Sequence, residues 1–284
     1  MKIKQVINRN KLKKFYRDIS NLTIDLFLII FQLFKKSINQ KPFVIVTGAD
    51  SSHFNSLVNL LKSINLYEKG TETNVYNLGM SVDEINYLKS NFSFNFIDFD
   101  FKSYPPFIGQ IDNSNKLGSY AWKAIIVFNE YKNNKNILWL DAGCIVTKEL
   151  RLLKKLILKN GFFSPESSNR IKDWTHPNTI SKLNFPLDNL TKRNFSSGLV
   201  GLAADDKKIK RLVKAWYKHS LDRETIAPNG SSRENHRQDQ SILTLLVHLE
   251  SLDKTTLRTH KMFGLLKHQD NENINYLSSD KNIT

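Results

Sequence analysis

NILWLDAGCIV, Asn136 to Val146, is the stretch on which the reading of this chain turns. From Ile137 to Leu140 every residue is apolar, the pattern of a parallel strand covered by helices on both faces. Asp141 interrupts the run, and Ala142 and Gly143 follow it with nothing bulky. In open parallel sheets, ligands bind in the crevice outside the carboxyl ends of the strands. A carboxylate where the apolar run ends therefore emerges at a ligand site, and the small residues let a ligand approach the backbone. A hard oxygen donor in that place suits Mg2+ or Mn2+ on a diphosphate, or a ribose hydroxyl. The plainer alternative is an Asp that organises the turn leaving the strand, and spacing alone leaves both open.

Working outward, two periodicities alternate. FVIVTGA (43–49) is an apolar, β-branched run, and the next segment puts Phe54, Leu57, Leu60 and Leu61 on one helical stripe. TNVYNLGM (73–80) is a second strand. Ser81 with Glu84 opens the following helix as a capping box. SFNFIDFD (93–100) is a third strand, and SYAWKAIIVFNEYK is helical by its Ala121, Ile125 and Phe128 spacing. Beyond Val146 come a helix (148–160), a short strand at GFFSPES, a loop-rich region (168–195) and the strand SSGLVGLAA (196–204). The amphipathic DDKKIKRLVKAWYKHS and the helix DQSILTLLVHLES complete the pattern. Alternation of this kind predicts an α/β fold, a doubly wound, mostly parallel sheet with a decorated second half.

With 284 residues the chain is long enough for one large α/β domain plus an appendage. An apolar fraction of 40% and a charged fraction of 24% exclude a disordered or polytopic membrane class. The net charge of +15 is unevenly spread: residues 1–41 hold ten Lys/Arg against two Asp/Glu, about half of the excess. The remainder has no zinc-finger spacing, aromatic RNP-like strand or glycine-arginine tract, so nucleic acid is not an expected partner. The single Cys144 fits a reducing, cytoplasmic setting, and its expected place inside the apolar strand speaks against a thiol nucleophile. Gly-x-Ser-x-Gly and His-Glu-x-x-His motifs are lacking.

The basic region contains NLTIDLFLIIFQLF, Asn21 to Phe34, flanked by Lys11, Lys13, Lys14 and Arg17 before it and Lys35 and Lys36 after it. The run after Asp25 is too short for a bilayer, which needs ~20 residues. On a helix, Asn21, Asp25 and Gln32 share one narrow face and leave a broad apolar surface. That pattern suits a helix lying peripherally in an anionic membrane surface at the inner face. The alternative is a helix packed on the domain's own core or on a partner chain. Residues 1–41 are thus expected to form a basic amphipathic unit, and 42–284 the main domain.

An amino-terminal strand-helix unit, a YAWK helix and then the strand LWLDAG together resemble the GT-A nucleotide-sugar glycosyltransferases over roughly residues 42–250. In that family an Asp-x-Asp motif ends the fourth strand, and its first Asp contacts the sugar nucleotide or its metal; Asp141 matches it. The third position here is Gly143. Either one carboxylate and waters hold a divalent cation (Mn or Mg), or Lys123 neutralises the diphosphate without one. SSGLVG, Ser196 to Gly201, resembles the strand start beneath the donor sugar in the retaining, glycogenin-like group, which assigns Ser197 and Gly198 to donor binding. HRQDQSIL resembles the opening of the helix that faces the anomeric carbon, with Asp239 and Gln240 as the matching pair. The preceding His236 and Arg237 suit phosphate or acceptor hydroxyls. TGAD closes the first strand where the family recognises base and ribose, which assigns Thr47 and Asp50. HKMFGLLKH echoes a His-x-x-Gly-x-x-Lys diphosphate clamp: Gly264 and Lys267 keep their spacing, while His260 is one residue out of register.

The resemblance implies an enzyme that transfers a sugar from a nucleotide-sugar donor to a saccharide or lipid-linked acceptor in surface polysaccharide synthesis. Asp141 would hold ribose or metal, Lys123 and Lys267 would offset charge on the leaving diphosphate, and Asp239 would be the base of an inverting route. The alternatives are a catalytically inactive GT-A scaffold that binds a glycan or partner, and a basic membrane-surface adaptor.

Overall fold

The computed structural model describes residues 2–33, 41–112, 116–133 and 135–267. Its strands are β1 (Phe43–Ala49), β2 (Glu72–Asn77), β3 (Asn95–Asp98), β4 (Asn136–Leu140), β5 (Ile145–Val146), β6 (Phe162–Phe163), β7 (Glu166–Arg170), β8 (Arg193–Phe195), β9 (Leu199–Leu202) and β10 (Leu265–Leu266). The helices are α1 (Lys2–Leu33), α2 (Phe54–Tyr67), α3 (Val82–Asn91), α4 (Ala121–Lys132), α5 (Arg151–Asn160), α6 (Ile171–Trp174), α7 (Pro177–Lys182), α8 (Lys207–Ser220), α9 (Arg223–Ile226) and α10 (Asp239–Leu249).

The central sheet has the order β3-β2-β1-β4-β9-β6. The first four strands run parallel, β9 runs antiparallel to them beside β4, and the edge strand β6, antiparallel to β9, runs in the direction of the first four. The expected α/β, mostly parallel, doubly wound sheet is the one observed. Side chains of a strand alternate between faces, and here both faces are covered. Val44, Val46, Ile137, Trp139, Val200 and Leu202 join the cluster built with α4, α8 and α10. Ile45, Leu138, Leu140 and Leu199 join the opposite cluster, with Leu60, Leu153, Leu156 and Ile157 of α2 and α5. The capping box at Ser81 and Glu84 forms as the sequence predicts.

One expectation is corrected at the opening stretch. NILWLDAGCIV is not a continuous strand: β4 ends at Leu140, and Cys144 lies in a turn, not in a strand. The turn closes because the Cys144 N–H donates to the Asp141 carbonyl at 2.9 Å, while the Asp141 N–H donates to the Gly198 carbonyl at 2.9 Å. β5 then leaves the main sheet and pairs antiparallel with β10, which brings the carboxyl-terminal part of the domain back beside Asp141.

Helix α1 begins far ahead of Asn21, and Phe34, Lys35 and Lys36 lie outside the described residues. The face carrying Asn21 and Asp25 points inward. Asp25 is fully buried and accepts from the Arg258 N–H (2.7 Å), the Thr259 N–H (2.8 Å) and the Thr259 hydroxyl (2.6 Å). Burial raises its pKa, against the lowering effect of those donors. Asn21 donates to Glu166, which pairs with Arg258. Leu28 and Ile29 pack on the α5 side of the core. Other apolar residues of the helix face outward: Phe15, Leu22, Leu26, Phe27, Ile30 and Phe31 are all exposed, Phe27 by 70%. Among the described residues no helix is long and apolar enough to cross a membrane.

Candidate active site

A cleft of about 1380 Å³ opens at the carboxyl edge of the parallel strands, with Asp141 on its floor. Asp141 is held there from several sides. Its Oδ1 accepts the indole N–H of the buried Trp139 at 2.7 Å. Lys123 Nζ, from the first turn of α4, lies 2.9 Å from the same oxygen. The same ammonium stands 3.2 Å from Asp239 Oδ2, at the start of α10, and 3.5 Å from the Ser197 hydroxyl. Side-chain exposure is 3% for Lys123, 4% for Asp239 and 39% for Asp141, so the cluster is a buried ion group with one carboxylate open to the cleft. A buried charge is tolerated only when paired and hydrogen-bonded. Burial alone would lower the Lys123 pKa, but Asp141 and Asp239 outweigh it and raise it, so the amine stays charged. Burial raises the Asp239 pKa, partly opposed by Lys123 and the Ser197 hydroxyl.

Two unusual backbone segments deliver these side chains. Gly118, Ser119 and Tyr120 are all left-handed (φ 53°, 50° and 62°) immediately before α4. Gly118 is obligatory, since a Cβ there would lie 2.2 Å from the Ile108 carbonyl oxygen. Gln238 (φ 49°) caps α10 in a conformation that non-glycine residues rarely adopt. Asp112 ties both together: its Oδ2 accepts from the Ser119 hydroxyl at 2.6 Å and from Gln238 Nε2 at 2.7 Å.

Asp50, Lys123, Asp141, Gly143, Ser197, Gly198, Asp239, Gln240 and Lys267 all line this one cleft. Gly198 is needed for close approach: a Cβ there would come within 2.7 Å of Asp141 Oδ2. Lys267 follows β10, and burial lowers its pKa. Asp50 is engaged by the His53 ring at 2.9 Å and by the Ser52 hydroxyl at 2.6 Å, and His53 chiefly holds its pKa down to about 2. Thr47 departs from expectation. It is fully buried within β1, and Gly48, Ala49 and Asp50 line the cleft beyond it. His236 is also withdrawn: its Nδ1 accepts the His176 N–H and its Nε2 donates to the Ile226 carbonyl. His260 lines the cleft despite its shifted register, whereas His268, the last residue of HKMFGLLKH, lies outside the described residues.

The donor set around Asp141 does not fit a divalent cation as it stands. Its Oδ1 is taken by the Trp139 indole and Lys123, the next carboxylate shares the same ammonium, and the third motif position is Gly143. A cation at Asp141 would have to compete with Lys123. The sequence offered no signal for Asp112, Gln238, Arg233 or Trp174. Asp112 meets Gln238, and Trp174 meets Arg237, only because distant segments come together, and Arg233 is marked only by its place on the cleft.

Residues 14–128 match the model of a family described only as a protein of unknown function, DUF1647. No curated protein matches the chain. Solved structures similar to it include an active-site mutant of the galactosyltransferase LgtC, at 16% identity over 71% of this chain and 70% of that one, with a TM-score of 0.47. Core-mannan synthase A from Aspergillus fumigatus in its Mn/GDP form is similar at 8% identity over 73% of this chain and 70% of its own, TM-score 0.45. Mouse xyloside xylosyltransferase 1 in its apo form is similar at 11% identity over 77% of this chain and 84% of its own, TM-score 0.43.

Proposed function

We propose that this chain is a GT-A-type glycosyltransferase that moves a sugar from a nucleotide-sugar donor to a saccharide or lipid-linked acceptor of surface polysaccharide synthesis. The observation that carries the reading is the Lys123 ammonium locked between Asp141 at a strand end and Asp239 at a helix start, on the floor of a cleft large enough for a nucleotide sugar. Asp50 would meet the nucleoside at the end of β1, and Asp141, one strand over, the ribose or diphosphate. Lys267 would supply positive charge where the diphosphate leaves, while Lys123, shared by Asp141 and Asp239, would offset their negative charge and hold both carboxylates in place, the kind of preorganisation that costs no rearrangement during reaction. In the inverting route the acceptor oxygen bonds to the anomeric carbon as the bond to the diphosphate oxygen breaks. The diphosphate keeps that electron pair, and the hydroxyl proton passes to Asp239. A carboxylate with a raised pKa is the stronger base for this step. Gln240 borders the same point.

The same reading puts α1 on the cytoplasmic face of an anionic membrane. Its polar seam is used up on the domain, its apolar face is exposed, and the adjoining sequence is basic. Apolar burial plus Lys/Arg attraction is how interfacial helices bind. Lys14 and Arg17 of this helix also line the cleft, so a lipid-linked acceptor could enter along it.

A panel of nucleotide sugars, with and without Mn2+, tests the donor assignment by protection against heat unfolding. One donor should raise the midpoint by mass action, Asp141→Ala should abolish the rise, and hydrolysis or transfer should accompany it. Binding without turnover would leave the inactive scaffold. No protection by any donor would end the proposal. Sedimentation with vesicles of phosphatidylcholine and phosphatidylglycerol tests α1: binding should weaken as salt rises and fall in Phe27→Asp, and equal binding to neutral vesicles would contradict it.

A further inference from the structure

Beyond Asp239 the cleft has a wall that the donor does not account for. Arg237 lies with its guanidinium carbon 4.2 Å from the centre of the Trp174 ring, and Arg233, Tyr120 and Gln240 line the same cleft, with Arg233 near enough to act electrostatically on both Arg237 and Tyr120. Neither arginine has an ion pair among the described residues. The nearest strong influence on Arg237, after burial, is the like charge of Arg233, and both lower its pKa. Arg237 Nε and Gln240 Nε2 are shielded from solvent with no hydrogen-bond acceptor. Leaving such donors unmet is costly to the fold. Two guanidiniums without a carboxylate partner and two aromatic rings therefore line this part of the cleft, just ahead of the N-terminus of α10, whose dipole adds to the positive field.

The order of strands separates this wall from the donor side. Asp50 ends β1, Asp141 ends the neighbouring β4, and Ser197 and Gly198 lead into β9, the next strand across. Ser197 and Lys123 contact Asp239, and Arg237 precedes it by two residues. The arginines thus lie beyond Asp239, across Asp141 from Asp50. A ligand there meets the reacting centre from the side opposite the nucleoside.

We infer that this wall is an acceptor subsite for an anionic saccharide, a sugar ring carrying a carboxylate or a phosphate. Aromatic rings take the apolar face of a sugar ring, and guanidiniums pair with planar carboxylates and with phosphate in bidentate fashion. Unmet arginines also reject neutral sugars, because the neutral ligand leaves the charges unpaired. The inference rests on the transferase reading for calling the ligand an acceptor, but not for its binding.

Calorimetric titration of the full chain tests it with four probes: a disaccharide ending in glucuronic acid, its carboxyl-reduced neutral counterpart, glucose 6-phosphate, and UDP or GDP. At least one charged sugar should bind about tenfold or more tighter than the neutral disaccharide. Which of the two binds identifies carboxylate or phosphate as the group recognised. Arg237→Gln and the exposed Arg233→Gln should each remove that preference and leave nucleotide affinity within about threefold. Equal binding of charged and neutral sugars overturns the inference. So does loss of nucleotide affinity in the arginine variants, which would give the arginines to the donor diphosphate. Charged-sugar binding without any nucleotide binding would leave this subsite standing and remove the transferase reading; nucleotide binding without charged-sugar preference would do the reverse.

Discussion

Lys123 and Glu130 stand about two turns apart on α4, both withdrawn from solvent, and the protein treats them in opposite ways. Glu130 is enclosed. Its Oε1 accepts from Asn74 Nδ2 at 2.9 Å and from the Tyr76 hydroxyl at 2.7 Å, and neither Glu130 nor those partners line the cleft. This network fastens α4 to β2. Lys123 is matched by two carboxylates, one of which stays open to the cleft. Buried charge by itself therefore does not mark a working site. A buried charge whose partner retains an exposed oxygen does, because that oxygen is available to something from outside.

Substitutions can break or sharpen this contrast. Lys123→Met should have the largest effect, about 3–5 kcal/mol of lost stability at neutral pH, since Asp239 is left buried without its counter-charge. Urea titrations should show the loss shrinking at lower pH, where the Asp239 carboxyl, its pKa already raised by burial, takes up a proton and needs no partner. Donor protection should vanish in the same variant.

His236 belongs with the enclosed groups, so pH should act there on stability and not on ligand binding. Burial pushes its pKa from 6.5 down to about 4. The unfolded chain binds the proton more readily, so stability falls as pH drops from about 6.5 toward 4, by about 3 kcal/mol from this residue. His236→Gln should flatten the profile of unfolding free energy over that window.

Gly198→Ala should cost about 1–3 kcal/mol, because the added methyl must displace the Asp141 carboxylate or the strand behind it. Its effect on nucleotide-induced protection should be disproportionate, with the shift lost while the chain still folds cooperatively. Smallest of all should be Glu130→Gln, which keeps an acceptor for Tyr76 and Asn74. A change of less than about 1 kcal/mol with unaltered donor protection is expected. Loss of protection in this variant would erase the distinction between the two ends of α4.

Much of this arrangement is legible in the sequence because it is local. FVIVTGA matches β1 from Phe43 to Ala49, and Ser81 and Glu84 cap their helix as a pair three residues apart must. Asp141 emerges at the strand edge because apolar runs end where the sheet does. Three features escaped for one reason, that they depend on distant segments meeting. Asp112 clasps Gln238 from 126 residues away. The left-handed turn before α4 contains a single glycine, and its other two residues are held by contacts that propensity does not register. On α1 the helical repeat correctly groups Asn21 with Asp25 but cannot tell which way that face points. Its direction is set by the amides of Arg258 and Thr259, more than 200 residues on.

That inward-facing seam has a practical consequence. Trimming a greasy leader is a common remedy for a sticky protein, but a chain begun at Phe43 would forfeit part of its own masonry. The carboxylate now plugging the Arg258–Thr259 bend would be gone, and so would the row from Lys14 to Leu22 that banks the groove near Lys267. The trimmed protein should be better behaved in solution and poorer at its task even where no lipid is present.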